Sequence, residues 1–472
     1  MMNRTSRIAA RVGACLAIVA TLVTVLAVAF AHYFYPEAPP DNFPRAESLA
    51  EQQRQDFEYF RHYLDFDRAY STAARDEARR QLVANEARAG TLDGAQFELA
   101  IARMVALADN GHSRVSMGPL SRRHDRLPCR FYHFADGYRI IRARPACQAF
   151  LGTKVVALDG IGMGDIADRM FVFAGGPRNH YDQFISPFFL ESPELLHAAG
   201  LAADAHRVSL RVVLPDGYER DVAMDADPPD ADAPRVYSDS YLSPERIEKE
   251  PADWRALLAP DAKLPLFLRD YRDPFRSEFL PDSRAYYVQF RSNNDEPGHP
   301  IGDFVTHVRE EVKATRPQFI VLDLRLDQGG NFVSTASLMR EIAGLADSVR
   351  HVYVLTGPWT FSAGIVSLAL VKEHAAAKVT VIGERPGDRI RLWAEGGTMT
   401  LPNSRLLLGF ATGLHDYSHP CIGERGCFWT LFFFPTHLST LDPDIGVAYR
   451  FDDYAGLRDP VMEKVLALVR DR

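Results

Sequence analysis

The order of apolar and polar residues first marks one stretch that could cross a membrane. Val12 to Ala31 is a run of 20 residues without a charge, about the length that spans the hydrocarbon of a bilayer. Arg4, Arg7 and Arg11 precede it, and no Lys or Arg follows until Arg45. Residues 1–35 are therefore predicted to be a signal anchor with a cytoplasmic amino end and an exported main part.

A cleaved signal peptide is the alternative, since Ala29-Phe30-Ala31 fits a small-residue cleavage site. We favour the uncleaved anchor because the apolar run is longer than an ordinary signal core. The main part would then be periplasmic or extracellular, and it would be secreted if the segment is cut.

Residues 45–115 follow a helical pattern. Asp93 and Gln96 form a capping-box signature at the start of the last helix. An apolar stripe at helical spacing follows, formed by Phe97, Ile101, Met104, Val105 and Ala108. Asn110-Gly111 is expected to stop this helix with a left-handed cap.

Residues 120–235 change to short strands and turns, which predicts a β-rich insert. Arg130–Phe134 and Tyr138–Arg142 flank a hairpin turn. Val208–Leu214 and Tyr218–Met224 flank another. Residues 235–283 show no pattern that assigns an element.

Residues 236–472 alternate strand and helix after that irregular stretch, which predicts an α/β domain. Repeated β-α-β units imply right-handed crossovers and a mostly parallel sheet covered by helices. The strands are expected at Ala285–Phe290, Phe319–Leu324, His351–Thr356 and Lys378–Ile382, and the helices at about Ile301–Lys313, Phe332–Leu345 and Ser362–His374.

Composition narrows the class of protein. With 47% hydrophobic and 25% charged residues, the 472-residue chain has the composition of a globular protein. A net charge of −8 argues against a nucleic-acid partner, which would require a basic face.

Four of the five cysteines fall in two local pairs, Cys129 with Cys147 and Cys421 with Cys427, and Cys15 lies in the anchor. In an exported protein such pairs favour disulfides over free thiols. Zinc is the alternative for Cys421 and Cys427, which lie near His415, His419 and His437. We predict no metal, because export favours the disulfide.

Three local features could carry chemistry. Ser362 lies between a strand and a helix, where its hydroxyl can be exposed beside free backbone N–H groups. The alternative is a plain helix N-cap, and the G-x-S-x-G motif of α/β-hydrolases is absent. His112, in the loop after a helix, could be a general base for a serine or a structural loop residue.

The third feature is the turn Asp323-Leu324-Arg325-Leu326-Asp327-Gln328-Gly329-Gly330-Asn331. It follows a buried strand, where parallel sheets place ligands, and paired glycines can aim N–H groups at an anion. The alternative is a tight turn in which Asp323 and Arg325 form a structural ion pair.

Together these motifs resemble the tail-specific (carboxyl-terminal-processing) protease family of serine peptidases. The order G-H-S, β-rich insert, D-L-R-x-x-x-G-G, T-F-S-A-G and V-I-G-E is similar to its histidine-using branch, which includes the tricorn core protease. The resemblance implies a catalytic domain of the crotonase and Clp protease fold. It also implies that residues 120–235 are a PDZ-like insert.

The resemblance further implies that Ser362 is the nucleophile and His112 the base. The Gly329/Gly330 turn and the Ala363 N–H would form the oxyanion hole. In the lysine-using branch the base follows the serine, but residues 383–388 contain no lysine, so a Ser-Lys dyad is rejected.

Two departures from the family pattern concern acidic residues. Asp327 stands where the family usually has asparagine. The orienting glutamate of the histidine branch has no counterpart in residues 434–442, which leaves Asp416, Glu424 and Asp442 as candidates. Loss of an orienting carboxylate can cost orders of magnitude in rate.

We therefore expect a membrane-anchored, exported serine endopeptidase that acts on polypeptides without a metal or organic cofactor. The alternative is an inactive protein on the same scaffold that binds peptides or hydrophobic ligands. The sequence does not indicate an oligomeric state.

Overall fold

The amino-terminal third begins with helices, as expected. The computed structural model describes residues 4–118, 120–234, 236, 238–345, 349–375 and 378–470. Helices α1 to α4 span Arg4–Phe34, Leu49–Phe66, Thr72–Glu86 and Gly94–Ala106. Within α1, Gly13–Phe34 is long and apolar enough to cross a membrane, by length and composition.

The capping box at the start of α4 is confirmed. Asp93 Oδ1 accepts the Gln96 N–H at 2.8 Å, and Gln96 Oε1 accepts the Asp93 N–H at 3.2 Å. The expected left-handed stop at Asn110-Gly111 is wrong. The helix ends at Ala106, and the left-handed residue is Asp109, with φ of +47°.

An antiparallel sheet with short helices follows. Strands β1 to β8 are Arg114–Val115, Cys129–Phe134, Gly137–Ala143, Lys154–Leu158, Ile161–Gly162, Arg207–Val213, Glu219–Asp225 and Arg255–Ala256. The path of the antiparallel sheet is β2-β3-β4-β6-β7, while β5 pairs with β4 and β8 with β3. Helices α5 to α8 are Met163–Met170, Arg178–His180, Ser186–Leu190 and Pro193–Ala198. Both predicted hairpins are present, and β1 lies outside this sheet.

A mostly parallel sheet is the centre of the second half. Strands β9 to β13 are Phe275–Leu280, Ala285–Phe290, Phe319–Asp323, His351–Thr356 and Val379–Gly383. Helices α9 to α11, at Ile301–Thr315, Phe332–Gly344 and Ala363–Ala375, connect them. With β18 at Ile445–Gly446, the sheet order is β18-β13-β12-β11-β10-β9, and β10 to β13 and β18 are parallel. The predicted mixed α/β architecture is confirmed.

The remaining segments pack around that sheet. Strands β14 to β18 are Arg391–Ala394, Gly397–Thr400, Leu407–Phe410, Gly413–Asp416 and Ile445–Gly446, and helices α12 and α13 are Phe451–Ala455 and Pro460–Arg470. A 3₁₀ helix spans Trp429–Phe433. One continuous core joins α2 to α4, the antiparallel sheet and residues of β15 and β16.

The sequence pattern missed β9. This strand pairs antiparallel with β10 along its whole length and closes one edge of the central sheet. Only its first residue, Phe275, is buried, while the other five are partly exposed. The stretch therefore lacks the buried apolar run that identified its neighbours.

Both expected disulfides are confirmed. Cys129 pairs with Cys147 across the β2–β3 hairpin, and Cys421 pairs with Cys427 in a short loop. Because the latter two thiols are joined, they are not available as zinc ligands.

The central sheet carries a buried ion cluster at the carboxyl end of β11. Arg325 donates to Asp323 at 2.6 Å and to Asp459 at 2.7 Å. This is the structural ion pair considered from the sequence, extended by an acid from the start of α13.

Replacing Arg325 with methionine should leave two buried carboxylates without a cation. We expect a loss of about 3–5 kcal/mol in the free energy of unfolding, measured by urea denaturation. Arg211→Met is the control, because Arg211 pairs with Asp221 at the surface. Equal stability of the two variants would contradict the assignment.

Candidate active site

Ser362 lies in a strained turn between β12 and α11. Its backbone has φ of +52°, a left-handed conformation that is unfavourable for any residue with a side chain. The Phe361 N–H donates to the Asp327 carbonyl at 2.9 Å, which ties this turn to the one after β11. Such strain concentrates at functional sites. Ser362 is therefore not an ordinary helix N-cap, because caps have extended backbone.

The turn after β11 contacts Ser362 directly. A methyl group on Gly329 would lie 2.5 Å from the Ser362 Cβ and 2.9 Å from the Ala363 nitrogen. With φ of +97°, Gly329 also has a backbone conformation that other residues avoid. Glycine at this position is what lets the two turns touch.

The N–H groups of this region differ in what they bind. Gly329 donates to the Asp327 carboxylate at 2.9 Å, so that group is already used. Within the described residues, the N–H groups of Gly330 and Ala363 have no acceptor. Ala363 opens α11, where the helix dipole favours negative charge.

The Asp327 side chain stabilises the glycine turn by accepting the Gly329 N–H. Its side chain is buried, and burial raises the pKa of its carboxyl to about 7 although the Gly329 N–H opposes the shift. In the amide orientation that satisfies both neighbours, Asn293 donates to Asp327 at 2.8 and 3.0 Å and accepts from Thr335. Asp327, which departs from the family asparagine, thus supplies a side-chain oxygen that accepts the Gly329 N–H.

His112 reaches this region on a loop fixed at several points. Strand β1, two residues later, pairs antiparallel with β16. Asp109 binds Arg389 at 2.8 Å, and Asn110 accepts the Trp393 N–H at 3.3 Å. These contacts hold the loop against the carboxyl-terminal part of the chain.

The structure brings His112 next to the serine turn, 250 residues away in sequence. Its ring stacks on Phe361, the residue before Ser362, with centroids 4.5 Å apart. Its Nδ1 lies 3.6 Å from Asp388 Oδ2, slightly beyond a hydrogen bond. These two atoms and His112 Nε2 are buried without a hydrogen-bond partner among the described residues.

Burial favours the neutral form of the His112 imidazole. It is the largest of the causes that hold the pKa of His112 well below its usual value, followed by the electrostatic effects of Arg114, His415 and His180. Burial raises the pKa of Asp388 to about 7, opposed by its bond from the Arg389 N–H. A neutral histidine can accept a proton.

The three acids suggested by the sequence have other partners. Asp416 and Glu424 both bind Arg391, at 2.8 Å for Asp416, and Asp442 binds Arg385. Asp416, His419 and Glu424 also lie close enough together to hold a cation, although their carboxylates already pair with Arg391.

Sequence reasoning assigned no role to Asp388, Phe361 or His180. Asp388 lies in residues 383–388, and Phe361 belongs to the T-F-S-A-G motif. Phe361 is the ring on which both histidines stack, with His180 centred 4.4 Å away. These contacts have no local signal, because each joins distant parts of the chain.

The comparison with solved structures identifies the fold. No family model matches the chain, and no curated protein matches its sequence. CPAF complexed with lactacystin matches with a TM-score of 0.54 and 11% identity, over 90% of this chain and 99% of that chain. A serine-to-alanine variant of CPAF gives 0.55 and 11%, over 90% and 98%.

A carboxyl-terminal processing protease is also among the matches. The photosystem II D1 C-terminal processing protease has a TM-score of 0.37 and 13% identity, over 85% of this chain and 94% of that chain. The chain has the fold of CPAF over most of its length, and the predicted resemblance to the tail-specific S41 protease family is confirmed at the level of the fold.

The strain at Ser362 can be measured. Ser362→Gly should raise the free energy of unfolding by about 1 kcal/mol relative to Ser362→Ala, because glycine tolerates the left-handed backbone. Thermal unfolding of both variants measures the difference. An equal or lower stability of the glycine variant would show that the turn is not strained.

Proposed function

We propose that this protein is a serine peptidase in which Ser362 is the nucleophile and His112 the general base. The contact that supports this best is the stacking of His112 on Phe361 beside the strained serine turn, with an imidazole whose nitrogens have no hydrogen-bond partner among the described residues. The CPAF-like fold is consistent with it.

The reaction would be acyl transfer. With Nδ1 facing Asp388, His112 Nε2 takes the Ser362 hydroxyl proton as Oγ bonds to the scissile carbonyl carbon. The proton passes to the leaving amine as the carbon–nitrogen bond breaks. Water, activated by the same imidazole, then hydrolyses the acyl-enzyme.

We assign the oxyanion hole to the N–H groups of Gly330 and Ala363. Each lacks an acceptor within the described residues, whereas Gly329 is bound to Asp327 and acts by allowing close approach. One such donor contributes on the order of 3 kcal/mol to the transition state.

The finer features predicted from the resemblance belong to the same proposal. These are a crotonase-like catalytic domain, a PDZ-like insert in the antiparallel sheet, and endopeptidase action on exported polypeptides. The apolar amino-terminal helix and the two disulfides are consistent with export. We propose a membrane-anchored protein with its main part outside the cytoplasm.

Fluorophosphonate labelling of the full chain tests the nucleophile. Wild type should be labelled, Ser362→Ala should not, and His112→Ala should react at least about a thousandfold more slowly. Ser367→Ala is the matched control, a buried serine of α11. A folded wild type that is never labelled would favour the inactive binding protein instead.

We propose Asp388 as the acid that orients His112. Asp388→Asn should slow labelling by about 10²–10⁴-fold, because the imidazolium loses its counter-charge. In wild type the rate should rise with pH through about 7, where this carboxyl loses its proton, and the variant should lose that rise.

The three acids suggested by the sequence are the controls for Asp388. Asp416→Asn, Glu424→Gln and Asp442→Asn should keep both the rate and its pH dependence, since their carboxylates bind Arg391 or Arg385. A large loss in one of these variants, with Asp388→Asn unaffected, would transfer the role to that residue.

A further inference from the structure

The end of the apolar helix α1 is part of the folded domain. Phe34 is fully buried and packs on Phe428 with ring centroids 5.1 Å apart. Tyr33 stacks on Trp429 at 6.3 Å, and Phe30 lies 5.7 Å from the same ring. The point at which α1 would leave a bilayer is therefore fixed against the 3₁₀ helix Trp429–Phe433.

Exposed apolar side chains lie immediately beyond this contact. Phe432 and Phe433 follow Trp429 in the same 3₁₀ helix and are 43% and 73% exposed. At a rise of about 2 Å per residue they lie within about 6–8 Å of Trp429 along that helix. Ile422, 66% exposed, lies in the disulfide loop that leads to Phe428. We call Ile422, Phe432 and Phe433 the apolar patch.

Isolated exposed apolar residues are common on protein surfaces. This patch differs because Phe432 and Phe433 belong to the 3₁₀ helix that packs against α1, and α1 is long enough to cross a membrane. Aromatic residues are typical of the interface between hydrocarbon and water. The patch could therefore contact lipid as well as water.

Arginine side chains lie near the end of α1 and near the apolar patch. Arg68 lies 3.8 Å from the centre of the Tyr33 ring and donates to the Tyr33 carbonyl at 2.9 Å. Arg340 donates to the Phe433 carbonyl, and Arg425 is exposed in the loop of Ile422. Guanidinium groups at this level suit the phosphate groups of a lipid surface.

We propose that the apolar patch inserts into the bilayer face from which α1 emerges. The domain then has two attachments, the spanning helix and the patch, and so a fixed orientation on the membrane. This inference does not depend on Ser362 or on catalysis. It depends on α1 being retained as an anchor.

The full chain in nanodiscs of phosphatidylcholine and phosphatidylglycerol tests it. In a Cys15→Ala background, Phe433→Cys is labelled with an environment-sensitive fluorophore, and some lipids carry a nitroxide quencher near the headgroup. Tyr218→Cys, 74% exposed at the β6–β7 turn, is the control of matched exposure. We expect quenching at least about twofold stronger at position 433 than at 218.

A second variant separates insertion from mere proximity to α1. Phe432→Asp in the labelled Phe433→Cys protein should lower the quenching, since a carboxylate resists entry into the interface, while α1 is unchanged. Equal quenching at positions 433 and 218, or no effect of Phe432→Asp, would overturn the proposal. So would an expressed protein that lacks residues 1–31 because of cleavage after Ala31.

Discussion

The arrangement of the site depends on the contact between the glycine turn and the serine turn. Gly329 lies so close to Ser362 that any side chain would overlap it. The hydrogen bond from Phe361 to the Asp327 carbonyl keeps the two turns together. Since the turns follow adjacent parallel strands β11 and β12, the sheet itself determines that they meet. At this close contact the backbone of Ser362 adopts the unfavourable left-handed conformation.

Local patterns were enough to predict the four inner strands of the central sheet, β10 to β13. The strands β10, β11 and β12 are continuous buried runs, such as residues 319–323, and this pattern is typical of strands covered on both faces. The disulfides were also predictable, since each pair is close in sequence. The glycine turn and Ser362 were identified because each follows a strand of the predicted parallel sheet. The carboxyl ends of such strands lie at one edge of the sheet.

The rest of the site depends on contacts that have no local signal. Asp388 belongs to an ordinary loop, and only the position of His112 gives it a role. The acids chosen from the sequence precede a family motif along the chain. In the structure their carboxylates instead bind Arg391 or Arg385. Strand β9 was missed for a related reason: its pairing with β10 stabilises it, and its own residues are mostly half-exposed.

A series of side-chain contacts connects the apolar helix with the candidate site. Tyr35, just after α1, donates to Glu395, whose other oxygen lies 3.2 Å from His415 Nε2. His415 binds the Tyr417 hydroxyl at 2.8 Å and stacks on Phe428, the ring that also contacts Phe34.

His415 is in turn close enough to His112 for its charge to lower the pKa of that imidazole, after burial and Arg114. Removing the end of α1 would expose Phe428 and would remove Tyr35, the hydrogen-bond donor to Glu395. Because Glu395 lies beside His415, the change would extend to the surroundings of His112. The end of the amino-terminal helix therefore supports the wall of the candidate site through these few side-chain contacts.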